Sequence, residues 1–431
     1  TYGCQMNKND SERIAGLLSG IGMECVEDET EADLVLLNSC SVRQTAEDRI
    51  FGKVKTLAKL RKTKPDLLIG VTGCMAGRDK NGELRKKLPR ADLFFGTEEA
   101  VQLPRWIAEL RPNWVKATES VEDFLKLKPH YHSDKQAFVT IQTGCSNFCT
   151  YCVVPFARGT EKNRPLDDIM TEVRGLASSG CLEITLLGQV VNAYVAPDPE
   201  GFSKQNPYQD NFAALLWEIN QIEGIERIFF TAPHPRHMTD EQVDALALPK
   251  MLNYLHLPVQ SGNDEILKKM NRKHTREEFD ELIRKIKARV PGIALGTDII
   301  VGFCGETEEQ FQDTVEMYKD VEFDISYTAQ YSPRSGTAAF KAFKDDVSRE
   351  EKKRRWQVIQ NLMEQTVLKK NQRYIGKTVS VLVESCEEGV CAGNSREMKV
   401  VQFWGEADLV GTIQNVKIDK VQEWILYGKK L

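Results

Sequence analysis

Gly144-Cys145-Ser146-Asn147-Phe148-Cys149-Thr150-Tyr151-Cys152 sets three cysteines in the pattern C-x3-C-x2-C. The segment follows an apolar strand-like run, 137–143, and opens a long succession of strand and helix patterns. That position restricts the fold. Thiols on a short loop at the head of a β–α succession suit a sheet whose strand C-termini gather chemistry on one edge. Three thiolates from one loop can ligate three irons of a [4Fe–4S] cluster and leave the fourth iron open. A zinc site is the competing reading. It wants a fourth protein ligand at short spacing, and the nearest histidines, His130 and His132, lie upstream.

The pattern around the loop predicts an α/β multidomain chain. After 137–143, strand candidates recur at 182–187, 227–231, 254–259, 293–301 and 324–331, with helical spacing between them at 277–289 and 308–319. Six such units predict a partial, open (β/α)6 barrel over residues 137–370. Its last helix, 348–372, is basic and carries an apolar stripe at Trp356, Ile359, Met363 and Val367. Residues 1–112 predict a separate parallel α/β sheet domain: 33–38 and 67–73 are apolar runs, and Ile50, Val54, Leu57 and Leu60 give helical spacing between them. Residues 113–136 are polar and unpatterned, a linker. Residues 371–431 alternate at 379–384, 398–404, 409–416 and 424–428, which predicts a small antiparallel β domain, sandwich or barrel.

Composition removes several classes. Of 431 residues, 41% are hydrophobic and 28% charged, which excludes a disordered or collagen-like chain. No apolar run approaches the roughly 20 residues of a membrane helix, and the start is not a signal peptide. The chain begins at Thr1 without Met, which points to a short missing leader. With 58 basic and 63 acidic residues the net charge is −5, so a polyanion must be held by local basic patches. Eleven cysteines without a secretory signal point to metal binding and a reducing, cytoplasmic compartment.

Cys4, Cys40 and Cys74 look scattered, but each follows a strand-like segment. Parallel neighbours lie about 4.8 Å apart, so strand ends on one edge can gather three thiols. That edge is where open α/β sheets bind ligands. On the residues alone, a second metal centre and three small buried side chains both remain open.

Resemblance goes further. The C-x3-C-x2-C spacing, with aromatic Tyr151 before the last cysteine, resembles the radical S-adenosylmethionine superfamily, whose open iron chelates the amino and carboxylate groups of that cofactor. Thr1–Asn7, Asn38–Arg43, Gly73–Ala76, Gly144–Cys152 and Gly188–Tyr194 resemble the methylthiotransferase family along the whole chain. Gly-Cys-Gln-Met-Asn at Cys4 is similar to its tRNA branch acting on N6-isopentenyl-adenosine, while other branches act on threonylcarbamoyl-adenosine or a ribosomal protein side chain. The resemblance implies an auxiliary-cluster domain, a radical domain and a C-terminal TRAM domain. It implies two [4Fe–4S] clusters, one on Cys145, Cys149 and Cys152, the other on Cys4, Cys40 and Cys74. S-adenosylmethionine is the implied cofactor. The implied partners are the tRNA anticodon stem-loop, a reducing electron donor and a sulfur donor, with no membrane, for a monomeric enzyme. Reductive cofactor cleavage would give a radical that abstracts C2–H of adenosine 37, and the auxiliary site would present the methylated sulfur. Two positions depart from the family pattern: Val190 stands where Asn is usual, and Cys304 where Pro is usual. Cys304 reads as a loop variant.

Other cofactor-binding candidates are Tyr151, Gln189, Gln260, Asp298, Arg158 and Glu161. Gln260 ends a strand and can hydrogen-bond a ribose or an amino acid head group. Asp298 is a charge in an expected core, costly unless paired; a satisfied structural group is the alternative for both. Arg158, Glu161 and Arg164 resemble a family segment that orients cofactor or substrate base. His234 and His237 fit a site or a surface equally. Cys25, Cys181, Cys386 and Cys391 have no ligand spacing, and the last two read as free thiols. Residues 376–431 hold seven Lys/Arg against eight Asp/Glu, so basic patches elsewhere are the expected phosphate contacts. These are Arg49, Lys53, Lys55, Lys59, Arg61, Lys62 and Lys64; Lys268, Lys269, Arg272, Lys273 and Arg276; and Lys352, Lys353, Arg354 and Arg355.

Overall fold

The computed structural model describes residues 1–42, 44–115 and 122–431. Arg43, quoted above in a motif, and residues 116–121 of the expected linker lie outside the described residues. The N-terminal part runs α1 (Gln5–Gly20), β1 (Leu34–Ser39), α2 (Gln44–Leu60), β2 (Leu68–Gly73), α3 (Cys74–Gly77), α4 (Glu83–Lys86), β3 (Leu93–Phe94) and α5 (Leu103–Leu110). Its strands form a parallel sheet in the order β1-β2-β3. The apolar face of α2 (Ile50, Val54, Leu57) packs on Leu37, Ile69 and Val71. The other face is covered by Ile14, Ile21, Leu103 and Ile107, together with Phe124, Leu125 and Leu127. Those last three lie on the stretch read as a linker. They are core side chains, too few in a polar stretch to show a period.

The central part runs β4 (Gln136–Thr140), β5 (Gln142–Thr143), α6 (Val154–Arg158), β6 (Lys162–Asn163), α7 (Leu166–Ser178), β7 (Glu183–Leu187), α8 (Asn211–Asn220), β8 (Arg227–Phe230), α9 (Asp240–Ala245), β9 (Tyr254–His256), α10 (Asp264–Lys269), α11 (Arg276–Arg289), β10 (Ala294–Val301), α12 (Glu308–Val321), β11 (Ile325–Gln330), α13 (Ala338–Ala342) and α14 (Arg349–Asn371). All six expected strands are present, as two parallel halves, β4-β7-β8 and β9-β10-β11. Ile228 joins the halves by pairing with the chain around Met251. The interior is one apolar cluster from Ala137 to Val367, which includes the α14 stripe. No helix among the described residues is long and apolar enough to cross a membrane.

The C-terminal strands β12 (Thr378–Glu387), β13 (Val390–Ser395), β14 (Val400–Trp404), β15 (Ile413–Val421) and β16 (Ile425–Lys430) close a barrel, β12-β13-β14-β16-β15. Four pairings are antiparallel; β14 and β16 run parallel. Cys386 and Cys391 are not free thiols. They face each other across the β12–β13 ladder and form a disulfide. The hairpin that opposes them had no strong apolar alternation to announce it.

Polar contacts in low-dielectric surroundings fasten the three parts. From α1, Asn9 donates to Phe138 O (2.9 Å) and accepts from Thr140 Oγ1 (2.8 Å). Arg227 pairs with Glu183 at 2.6 Å and donates to the carbonyls of Asn394 and Ser395 in the small barrel. Asp324, 2% exposed, collects Lys370 and Arg373 after the central barrel and Lys399 from the small one. Burial raises its carboxyl, but Lys399 and Lys370 outweigh burial and hold it below 3.8. Asp324→Asn leaves buried cations uncompensated, and breaking a buried pair costs about 3–5 kcal/mol. Because the folded value is depressed, this stability is fully present above the ordinary value of 3.8 and is lost as pH falls through the lower folded value. Denaturant midpoints of wild type and variant should differ by a constant gap from about pH 7 to about pH 5, shrinking in stronger acid. A gap that persists undiminished into strong acid contradicts this assignment.

Candidate active site at the junction of two cysteine triads

The sheet register brings the first three cysteines together. Ser39 pairs with Gly73, the last residues of β1 and β2, so Cys40 and Cys74 leave the sheet at the same level. Tyr2 adds itself beside Ser39: its N–H donates to Asn38 O (2.8 Å), and Cys40 N–H donates to Tyr2 O (2.9 Å). Two residues later Cys4 caps α1. Asn7 fixes that cap, accepting from Cys4 N–H at 3.3 Å and donating to Asn38 Oδ1 at 3.0 Å. Gly73 has φ +91°, and a Cβ there would collide with the Asn38 amide. A hydrogen bond from the Cys40 thiol lowers the Cys4 thiol below its ordinary value. Burial raises Cys74.

The second triad sits where β5 ends. Backbone N–H groups of Asn147 and Val154 point at the sulfurs of Cys145 (3.5 Å) and Cys152 (3.4 Å). Arg272 Nη1 points at Cys149 Sγ (3.7 Å). Burial raises Cys145, and it raises Cys152 to about 12. Among the described residues, no three His, Cys, Asp or Glu side chains converge as a single metal ion requires. Sulfurs that each receive an N–H, on a loop at strand C-termini, are a donor set suited to a cluster whose thiolates carry negative charge. Close to that edge Gln189 Oε1, Arg272 Nε and His274 Nε2 are buried without hydrogen-bond partners, which leaves capacity for a polar ligand.

The triads meet through two short helices. α3, beginning at Cys74, packs on α6, which follows Cys152, and a Cβ on Gly77 would strike the carbonyl of Ala157. Arg158 crosses this seam. It is buried, donates from Nε to Cys74 Sγ (3.3 Å) and forms a two-point ion pair with Asp10 of α1. Its guanidinium is thus spent on the other triad and on Asp10. Arg164 is also internal, paired with Glu172 at 2.7 Å and bonded to Thr140 O.

The remaining candidates divide. Glu161 is half-buried beside Cys145, accepts from Asn163, and is raised by burial. Tyr151 packs against the apolar group of Met270, Phe303, Cys304 and Tyr331, so Cys304 belongs to that cluster. Gln260 is buried at φ +78° and bridges to Ile299. Asp298 is not in the core: its side chain is 40% exposed and pairs with His256 at 3.3 Å. Alternation along β10 turns it out of the apolar row. Val190 is buried, and its N–H donates to Gln142. His237 reaches Asn147 of the loop at 3.3 Å, and His234 is locked to Asn192 through backbone contacts. Arg272, Asp10 and His256 were not singled out for these roles. Arg272 was hidden in a basic run, Asp10 in a polar helix.

The basic patches fare unequally. Lys352 pairs with Asp345, Arg354 with Glu308 and Glu351, and Arg355 with Glu306. Three of those four cations are therefore neutralised internally, and Lys353 is exposed. Arg272 is buried and Arg276 pairs with Asp280 and Asp320. On the first patch Lys53, Arg61 and Lys64 are paired, while Arg49, Lys55, Lys59 and Lys62 are exposed.

Residues 139–318 match the family model described as the Radical SAM superfamily, and residues 1–96 the one described as Uncharacterized protein family UPF0004. A solved radical S-adenosylmethionine methyltransferase, TsrM of Kitasatospora setae, shares the fold at a TM-score of 0.53 and 14% identity, over 74% of this chain and 70% of that one. Fold and site define a radical S-adenosylmethionine enzyme, for which a [4Fe–4S] cluster and S-adenosylmethionine are the class cofactors. The tRNA-2-methylthio-N(6)-dimethylallyladenosine synthase of Geobacillus thermodenitrificans is 43% identical over 100% of this chain and 82% of its own length. That of Clostridium tetani is 40% identical over 100% and 95%. The chain belongs to this family of methylthiotransferases.

Proposed function

We propose that the chain inserts a methylthio group at C2 of N6-isopentenyl-adenosine 37 in the anticodon stem-loop of tRNA. It acts in the cytoplasm as a monomer, with an electron donor and a sulfur donor. The observation that carries this reading is the α3–α6 seam, which sets one cysteine triad beside the other. The C2–H of adenine has neither an acidic proton nor a leaving group, so polar catalysis has little purchase. When bound, the cofactors supply a hydrogen-abstracting radical at one triad and a transferable sulfur at the other.

The residues divide that labour. Cys145, Cys149 and Cys152 would hold the first [4Fe–4S] cluster, the centre that would reduce S-adenosylmethionine. Gln189, Gln260 and the His256–Asp298 pair offer polar contacts to that cofactor. Cys4, Cys40 and Cys74 hold the auxiliary [4Fe–4S] cluster. Arg158 keeps Cys74 in place, and the seam keeps the two triads side by side.

Two outcomes follow. In an anaerobic assay that reads 5′-deoxyadenosine and methylthiolated nucleoside together, Cys149→Ala abolishes both, whereas Cys40→Ala keeps cofactor cleavage and loses the methylthio product. Wild-type product from Cys40→Ala would remove the auxiliary triad from the reaction. Exposed Lys55, Lys59 and Lys62 serve the phosphates. Replacing all three with Ala should weaken tRNA binding and reduce the slope of log K against log salt by about 2–3. The paired Arg354→Ala should leave that slope unchanged; the reverse pattern would place the RNA on α14.

A further inference from the structure

Each triad has one buried arginine on one of its sulfurs, but only one of the two is neutralised. Arg158, on Cys74, is held by both carboxylate oxygens of Asp10, one contact being 3.3 Å. Arg272, on Cys149 at 3.7 Å, spends its other nitrogen on the carbonyl of Pro258 (2.7 Å), and its Nε–H is buried without an acceptor among the described residues. It is 5% exposed. Among the described residues it forms no ion pair; Glu161, the acid near Cys145, bonds Asn163 instead. Its position is not incidental. Neighbouring Asn271, at φ +60°, donates to the carbonyls of Asn147 (3.2 Å) and Phe148 (3.1 Å), and Thr150 N–H donates to Met270 O (3.0 Å). The segment leading into Arg272 is thereby clamped to the cysteine loop on either side of Cys149.

We propose that this difference in compensation directs electrons: uncompensated Arg272 raises the reduction potential of the cluster on Cys145, Cys149 and Cys152, and Asp10 cancels the same effect of Arg158 at the auxiliary cluster. The inference rests on the reading that each triad holds a [4Fe–4S] cluster. The couple is one-electron: a 2+ cluster gains an electron from an external reductant and becomes 1+. The reduced cluster is one charge more negative, so a fixed cation nearby favours it, and low dielectric strengthens the effect. The electron then rests where S-adenosylmethionine can receive it, and the sulfur-presenting cluster stays oxidised. Arg272 and Asp10 are positioning residues in this scheme, acting through charge on the thiolates.

The test is an anaerobic redox titration of the reconstituted full chain with dithionite, followed by electron paramagnetic resonance. The barrel cluster is assigned as the signal perturbed by added S-adenosylmethionine. Arg272→Met should lower that cluster's potential enough to change its reduced-to-oxidised ratio at least tenfold at fixed potential, about 59 mV for one electron. Arg272→Lys should restore most of it. Asp10→Asn should raise the auxiliary potential by a similar margin and leave the barrel cluster unmoved. Iron is counted in every sample. A wild-type protein that loads only one cluster overturns the reading of the triads. Full iron loading with potentials unmoved in Arg272→Met and Asp10→Asn overturns the charge assignment alone. Where Arg272→Met fails to load, Asp10→Asn decides, since it keeps the side chain's shape: an unmoved auxiliary potential rejects the proposal.

Discussion

Arg158 is the contact on which the arrangement turns. A buried guanidinium is costly unless it is compensated, and at Arg158 the compensation comes from another domain: Asp10 on α1 and the sulfur of Cys74. The residue leaves the central barrel immediately after its cysteine loop, so satisfying this one charge also fixes the loop against α3. Ordinary apolar packing would hold two domains together without specifying which edges meet. A buried ion pair with fixed geometry, reinforced by the close approach at Gly77, specifies the edge.

The sheet explains why that edge carries chemistry. In a parallel sheet, strands that end in register deliver the residues just beyond them to one level. Cys40 and Cys74 follow the paired residues Ser39 and Gly73, and Tyr2 extends the same level to Cys4. The central barrel repeats the logic, with Cys145–Cys152 and Gln260 beyond strand ends and Asp298 turned out of the apolar row of β10 toward His256. Peripheral ion pairs around Asp324 and Arg227 then brace the long helix and the small barrel against these strands.

Much of this was legible in the sequence, because short apolar runs alternating with helical spacing point to parallel strands, and cysteines at the ends of such strands share an edge by geometry. The two-residue β3 was too short to leave a pattern, and β13, with Gly393 and Asn394 in it, lacked alternation, so the Cys386–Cys391 pairing went unseen. Phe124, Leu125 and Leu127 were lost in a polar stretch. Charge was the least legible property. The basic start of α14 is neutralised in part by Asp345 and Glu351, close in sequence, and in part by Glu306 and Glu308, which are distant in sequence and which no count of local charge reveals. Arg272 shows the converse, a residue that counts as surface charge in the sequence and lies buried against a thiol in the fold.

The central claim is that two separate triads, and no other cysteines, each hold a four-iron cluster. Iron and sulfide counting after anaerobic reconstitution tests it most directly, on the wild-type chain and on Cys304→Ala. The account predicts about eight irons per chain in both. A count near four in fully reconstituted wild-type protein, or a loss of iron in Cys304→Ala, would contradict it.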